Sequence, residues 1–266
     1  MNIIVCIKQV PETTDVKINP ETNTLIREGV KSIINPFDMY ALEEGVRLKE
    51  KFGGKVAVLT MGPPQAEAAL REAISLGADE GILVCDRAFA GSDTWATSYT
   101  LAGAVRKIGA FDLIVCGKQA SDGDTAQVGP GISAHLDIPQ VTYVKKIESI
   151  EPASEGKGWL MRVERMMEEG FEIIETPLPA LLTVVKEINE PRLPSLRGMM
   201  KAKTAKIAVW GQNDLKLDEN SIGLCGSPTQ VIKIFTPPPR TGGRRLQGEI
   251  PEVVGTLVEL LKNDLA

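Results

Sequence analysis

Short apolar runs that alternate with amphipathic stretches constrain this chain more than any other feature. Ile3 to Ile7, Val56 to Thr60, Gly81 to Cys85 and Leu113 to Cys116 read as buried strands. Helical patterns lie between and after them. Asn35-Pro36-Phe37-Asp38 opens one that runs to about Phe52, with Leu42, Val46 and Leu48 inward and Gly53-Gly54 as its stop. Others span Pro64 to Leu76, ended by Gly77, Ser92 to Ile108, and Gln127 to Leu136. Strand and helix alternating at this spacing predict an α/β fold with a doubly wound, mostly parallel sheet covered on both faces. Residues 15–27 interrupt the pattern as a hairpin turning at Asn19-Pro20-Glu21.

The pattern changes after Pro139. Segments 140–149, 159–167, 171–176 and 180–187 read as short strands of an antiparallel extension on the same core. From Asn189 the chain is rich in Pro, Lys and Arg without a clean period, and reads as an extended arm that reaches for a partner. An amphipathic helix from Glu252 to Leu261 follows. The expected organisation is a nucleotide-binding α/β domain over 1–188 and a C-terminal partner-binding arm with its helix over 189–266.

Composition removes several classes. A net charge of −5 argues against a nucleic-acid binder. No apolar run approaches the ~20 residues of a membrane span. MNIIVCIKQV lacks the basic start of a signal peptide and reads as a strand. Cys6, Cys85, Cys116 and Cys225 form no C-x-x-C pair, so neither a zinc knuckle nor a ferredoxin-type cluster is expected. Free thiols in a reducing cytoplasm are the economical reading.

The richest chemistry lies in GKQASDGDTAQVGPGISAHL, residues 117–136, between a buried strand and a helix. Open parallel sheets bind ligands at the carboxyl ends of their strands. Gly117, Gly123, Gly129 and Gly131 permit tight turns and close backbone approach. Thr125, Ala126 and Gln127 would present N–H groups at a helix start, where phosphate oxygens bind. Asp122 and Asp124 sit awkwardly beside a phosphate; capping or bonds to ribose hydroxyls suit them better. A plain Gly/Asp surface turn is the bland alternative. Cys6 to Gln9, Met61-Gly62-Pro63 and residues 88–98 follow the other strands and should converge there. Ser92, Asp93 and Thr94 start a helix with Thr97 and Ser98 on its first turns, a second anion site, although capping explains them equally well.

There is no G-x-G-x-x-G after the first strand, no Walker lysine loop and no G-x-S-x-G elbow. The single histidine, His135, reads as surface or packing. Without a nucleophile–base pair, no catalytic side chain is assigned, and a bound redox cofactor would carry any chemistry.

IKQVPETTDVKI, NPFDMYALEEGVRLKE, LTMGP, LREAISLGADE, LIVCGKQASDGDTAQVGP, PALLTV and NEPRLPSLRGMMKAK stand in one order along nearly the whole chain. In these motifs the sequence resembles the beta subunit of electron transfer flavoproteins. The resemblance implies an adenine nucleotide alpha-hydrolase-like sheet and a heterodimer with an alpha subunit that carries one FAD. Housekeeping beta subunits hold a structural AMP. Bifurcating ones hold a second FAD with its AMP half in the same pocket, and NADH donates hydride to it. On this chain the family's nucleotide site falls on Cys6, Asn35, Pro36, Phe37, Asp38 and Met61. It continues through Gly117, Lys118, Gln119, Ala120, Ser121, Asp122, Gly123, Asp124, Thr125, Ala126, Gln127 and Val128. The loop that docks acyl-CoA dehydrogenases falls on Pro194, Ser195, Leu196, Arg197, Gly198, Met199, Met200 and Lys201, with Leu196 as its anchoring leucine.

The loop reads SDGDTAQVGP where the mitochondrial type has a third acid and an Asn-Gln-Thr-Gly run. DRAFAGSDTWATS and GSPTQV (Gly226 to Val231) resemble the bifurcating, NAD-linked branch, which implies Asp93, Thr94 and Thr97 at the phosphates or ribityl chain of FAD and Ala88 to Gly91 near NADH. The second acid of the housekeeping E-x-D element is replaced in VERMMEEG (Val163 to Gly170), so the resemblance does not carry the usual domain-docking contact over to this chain. The resemblance thus implies electron flow from NADH to ferredoxin or flavodoxin and, through the alpha-subunit FAD, to an acyl-CoA dehydrogenase. The alternatives are a simple carrier with AMP, and a non-redox, nucleotide-binding regulatory protein.

Overall fold

The backbone follows the alternation closely, because each apolar run is buried on both sides. The computed structural model describes residues 1–12, 32–153, 158–233, 243 and 245–264. The hairpin expected over 15–27 lies outside the described residues. Strand β1 (Asn2–Cys6) is followed by β2 (Gln9–Pro11) and β3 (Ser32–Ile34), which pair antiparallel as a small ribbon. Then come α1 (Pro36–Phe52), β4 (Lys55–Met61), α2 (Glu67–Ser75), β5 (Glu80–Val84), α3 (Thr94–Ile108), β6 (Leu113–Gly117) and α4 (Val128–Leu136). Pro36 starts α1 at a position that needs no N–H donor, and Gly53, at φ 73°, ends it by donating to the Lys49 carbonyl.

After α4 the strands are β7 (Gln140–Pro152), β8 (Trp159–Met167), β9 (Gly170–Pro177) and β10 (Ala180–Val184). Helix α5 (Leu196–Thr204), strand β11 (Ala208–Trp210) and the short α6 (Gln212–Leu215) follow. Among the described residues one sheet has the order β11-β5-β4-β1-β6-β10-β7-β8-β9. Pairing is parallel from β11 to β7 and antiparallel from β7 to β9. The sheet is doubly wound and mostly parallel, as expected.

Successive side chains of β1 go to opposite faces. Ile3 and Val5 pack under α1 and α2, whereas Ile4 and Cys6 pack under α3 and α4. Each fully buried Ile or Leu contributes roughly 1.5–3 kcal/mol. Such two-sided burial leaves strand order, not surface chemistry, to decide where a ligand can enter. The order reverses between β1 and β6, which places the topological switch point outside Cys6 and Gly117.

Two elements differ from expectation. Residues 180–187 are not part of the antiparallel extension: β10 inserts between β6 and β7, parallel to both, and its end runs into a single turn at Lys186–Ile188. All five residues of ALLTV are buried, and such unbroken apolar runs fit a strand covered on both faces. The segment after Asn189 is not extended throughout. Ser195 caps α5 by accepting from Gly198 N at 3.0 Å, and Arg71 ties the helix end to α2 through the Ala202 carbonyl at 2.7 Å. A Cβ on Gly198 would lie 2.1 Å from the Ser75 carbonyl oxygen, so only glycine allows this approach of α5 to α2. Strand β11 then pairs with β5 at the sheet edge.

Contacts divide the chain into one unit of Met1–Lys17 with Leu25–Ile232 and another of Ile18–Thr24 with Lys233–Ala266. In the second, the expected helix is present as α7, Ile250–Asp264. Among the described residues no helix is long and apolar enough to cross a membrane.

Candidate functional site

The loop from Gly117 to Gln127 leaves the switch point and is held from below by two residues of the α1 start. Asn35, 1% exposed, donates from Nδ2 to the Gln119 carbonyl at 2.8 Å and accepts from Ser121 N at 3.0 Å. Its side chain does not cap α1. Asp38 is buried and accepts from Lys8 N at 2.7 Å. A Cβ at position 117 would lie 2.3 Å from Asp38 Oδ1 and 2.7 Å from the Phe37 carbonyl carbon, so glycine lets the end of β6 cross the start of α1.

Burial pushes the Asp38 carboxyl up to about 7, against hydrogen bonds from Asn35, Lys8 and Gly117 that favour its ionised form. Cys6 and Cys116 are register partners on one sheet face, and the hydrogen bond between their thiols, with burial, holds the Cys116 thiol well above its usual range. Met61, at the end of β4, packs against the same cluster.

The exposed part of the loop spans Ser121 to Thr125. Asp122 forms an ion pair with Lys8 at 2.7 Å. Asp124 accepts from the side chain of Gln119. Neither carboxylate caps α4, so that part of the expectation is corrected: both are turned to partners inside the loop and at the β1 exit. Asp124 (φ 52°) and Ala126 (φ 55°) adopt left-handed backbone immediately before the helix, unusual for residues with a Cβ.

Gln127 is the N-cap of α4, and no side chain caps that helix. Pro130 lacks an N–H and Gly131 donates to the Gln127 carbonyl, so the N–H groups of Val128 and Gly129 form the helix's free positive end. Lys8 meets the loop at Asp122. Lys118, within the loop, has its Nζ 5.9 Å from the centroid of Phe37 and 5.1 Å from that of Tyr143.

The start of α3 is built differently. Asp93 Oδ1 caps it, accepting from Trp95 N at 2.9 Å and Ala96 N at 3.1 Å. Its Oδ2 accepts from Thr229 N at 3.0 Å and Thr229 Oγ1 at 2.9 Å. Ser227 Oγ accepts from Asp93 N at 2.8 Å. Burial would raise the Asp93 carboxyl, but the bonds from Ala96, Thr229 and Trp95 outweigh it and hold the group below the usual carboxylate range. Thr94 Oγ1 donates to Gln127 Oε1 at 2.9 Å and bridges the two helix starts. Thr97, one turn on, is half-buried.

The structure therefore brings the two helix starts, the Gly117–Gln127 loop and GSPTQV to one sheet edge, with Cys6, Asn35, Asp38 and Met61 beneath or beside them. The residues from Pro194 to Lys201 stand apart on α5, where Leu196 is 74% and Met200 66% exposed. Arg192 anchors the segment before them by binding Glu43 and Glu50 of α1, with Nε 2.8 Å from Glu43 and Nη1 2.6 Å from Glu50.

Sequence reasoning missed Lys8 as the partner of Asp122, because that contact spans 114 residues. It also missed Tyr143, whose left-handed φ of 60° accompanies a bulge between β10 and β7. No local motif marks either residue.

The comparisons agree with this architecture. A model described as the electron transfer flavoprotein domain matches residues 22–215. The chain is 53% identical to an electron transfer flavoprotein subunit beta of Thermoanaerobacterium thermosaccharolyticum, covering 99% of this chain and 98% of that one. It is 50% identical to the caffeyl-CoA reductase-Etf complex subunit CarD of Acetobacterium woodii, over 98% of both. Protein FixA of Azotobacter vinelandii is also 50% identical, over 91% of this chain and 86% of the relative. Identity at this level over nearly full length, on a doubly wound sheet with its loop at the switch point, makes this chain a member of the electron transfer flavoprotein beta-subunit family.

Proposed function

We propose that this chain is the cytoplasmic beta subunit of a bifurcating, NADH-oxidising electron transfer flavoprotein, with FAD bound so that its AMP half lies in the Gly117–Val128 site. The observation that carries the nucleotide assignment is the uncapped start of α4 at the switch point, with its acidic neighbour Asp122 neutralised by Lys8. The donor set fits the group: free backbone N–H for phosphate, Lys8 paired to the loop at Asp122, and a loop already held in place by Asn35. The flavin would supply the hydride and electron chemistry. The chain's own residues bind, orient and shield. Val128 and Gly129 would face phosphate, and Cys6, Met61 and Asp38 would form the floor.

The bifurcating assignment rests on the polar wall of Thr94, Thr97, Gln127 and the GSPTQV segment, and on the similarity to a subunit named for a caffeyl-CoA reductase-Etf complex. Asp93 serves here as the cap and clamp of that wall, so neutral contacts from Thr94 and Thr97 to a ribityl chain fit better than a phosphate at α3. An alpha subunit would close the site and carry the second FAD. Ferredoxin or flavodoxin would take one electron, and an acyl-CoA dehydrogenase the other, docking on Pro194 to Lys201 of the C-terminal arm.

Nucleotides released from the purified heterodimer test the proposal. Two FAD per dimer are expected. One FAD with one AMP would replace it by the simple carrier.

A further inference from the structure

The stretch from Asn189 to Ser195 is fastened to α1 by polar bonds, and its one leucine is left outside the core. Asn189 Nδ2 donates to the Tyr40 carbonyl and to Glu44, both at 3.0 Å, and Arg47 Nη2 donates to the Glu190 carbonyl at 3.1 Å. Arg192 makes the most bonds. Its backbone N and its Nε donate to one oxygen of Glu43, at 3.2 and 2.8 Å, and its Nη2 to the other at 3.2 Å. Nη1 and Nη2 also form a fork on Glu50, at 2.6 and 2.9 Å. Glu43 and Glu50 stand two turns apart on α1, so the guanidinium lies along one face of that helix.

Leu193 follows directly and is 87% exposed. Pro194 restricts the backbone of the residue before it, so Leu193 has little freedom of its own. Leu196 and Met200, i and i+4 on α5, and Met199 are exposed as well. Leu193 and Leu196 are close enough in sequence to lie within about 10 Å of each other. A single exposed leucine carries no message, but a cluster of apolar side chains held in place marks an interaction surface.

The charge of this surface selects what can cover it. Residues 191–213 contain five cations and no acid, in a chain of net charge −5. Arg192 and Lys201 are paired to Glu43, Glu50 and Asp79, whereas Arg197, Lys203 and Lys206 have no ion pair among the described residues. A second copy of this chain would set these cations against each other. A partner with an apolar pocket rimmed by carboxylates matches them.

We propose that Leu193 is a second docking anchor beside Leu196 for the acyl-CoA dehydrogenase, and that Arg192 is the positioning residue that presents it. This rests on the reading of Pro194 to Lys201 as the docking segment. Holding Leu193 in place before contact removes part of the ordering cost of the complex. Because Arg192 is bonded through its backbone N as well as its side chain, its loss is felt first at the next residue.

Surface plasmon resonance between the alpha–beta heterodimer and a purified acyl-CoA dehydrogenase of the same organism tests both residues. Leu193→Ala should weaken binding about tenfold, as expected for one leucine pocket left unfilled, with the melting temperature unchanged. Arg192→Met should weaken it by a similar factor. In the Leu193→Ala background, Arg192→Met should then add less than about twofold. A full additional loss there would mean a general loosening of α5 and overturns the positioning role. Arg192→Met leaves buried Glu43 with Arg47; if it does not fold, Glu50→Gln, at a half-exposed carboxylate, replaces it with an expected loss of about threefold.

Leu196→Ala separates the two claims. If it weakens binding and Leu193→Ala does not, the second anchor falls and the docking segment stands. If neither changes binding, the docking reading falls and the proposal with it. A Leu193→Ala heterodimer that comes apart, or that changes its self-association, would assign the surface to the alpha subunit or to a second copy, and overturns the proposal.

Discussion

Helices α3 and α4 begin side by side at the same sheet edge, joined by the Thr94–Gln127 bond, yet they present opposite chemistry. The start of α3 is filled by the Asp93 carboxylate, which caps two backbone N–H groups and holds Thr229 from a distant part of the chain. The start of α4 has no side-chain cap. A helix N-terminus attracts anions only while its donors are free. One of these ends is therefore a structural joint and the other a candidate anion site. Two similar Ser/Asp/Thr/Gly-rich helix starts in a sequence need not be two phosphate sites.

The largest effect that would break this contrast is Gln127→Asp. A carboxylate at the α4 N-cap would repel phosphate at close range, although the helical backbone of residue 127 differs from the extended backbone with which Asp93 caps α3. Adenine-nucleotide affinity should fall about tenfold to a hundredfold while the fold changes by less than about 1 kcal/mol. Calorimetric titration with AMP, beside a urea melt, reads both; undiminished affinity would place the phosphate elsewhere.

Gly117→Ala comes next. The added methyl meets Asp38 and the α1 backbone, which should destabilise by about 1–3 kcal/mol in a urea melt. A neutral result would mean that the crossing of β6 and α1 can open to take a methyl group.

Asp93→Ala sharpens the comparison from the other side. It should cost about 1 kcal/mol at pH 7 and speed exchange around residues 227–229. Because the Asp93 carboxyl is held below its usual range, its contribution is present above about pH 4 and fades as pH falls through its lowered value. The wild type should thus lose part of its advantage over Asp93→Ala in acid, measured as the gap between their melting temperatures.

The smallest effect belongs to Lys8→Met. The Lys8–Asp122 pair is about half exposed on the lysine side, so its removal should change stability by less than about 1 kcal/mol. It should nevertheless weaken AMP binding more in low salt than in high salt.

Most elements were legible because they depend on local pattern. The apolar runs of β1, β4, β5 and β6, the Pro36 start and the Gly53 stop need nothing beyond their neighbours. Strand β10 was visible as a strand, but its place was not. Its insertion between β6 and β7 depends on pairing with residues far away in the chain. The fold of the segment after Asn189 was hidden because α5 shows only Ala202 as fully buried and is fastened largely by Arg71, Lys201 and the fit of Gly198. A narrow contact of that kind leaves little apolar period to read.

The loop shows the same division. Its glycines, acids and position after β6 marked it as a ligand cradle, and collinear motifs named its family. Asn35 belonged to that family pattern, but its grip on Gln119 and Ser121 is a tertiary fact. So is the burial that pushes Asp38 towards neutrality.

The sequence alone determined a doubly wound sheet, a glycine- and aspartate-rich loop at its carboxyl edge, and membership in one flavoprotein family. Only the tertiary structure decided which of two neighbouring helix starts is free to meet an anion. Capping depends on which side chains arrive in space, and the bond from Thr229 to Asp93 joins residues 136 apart.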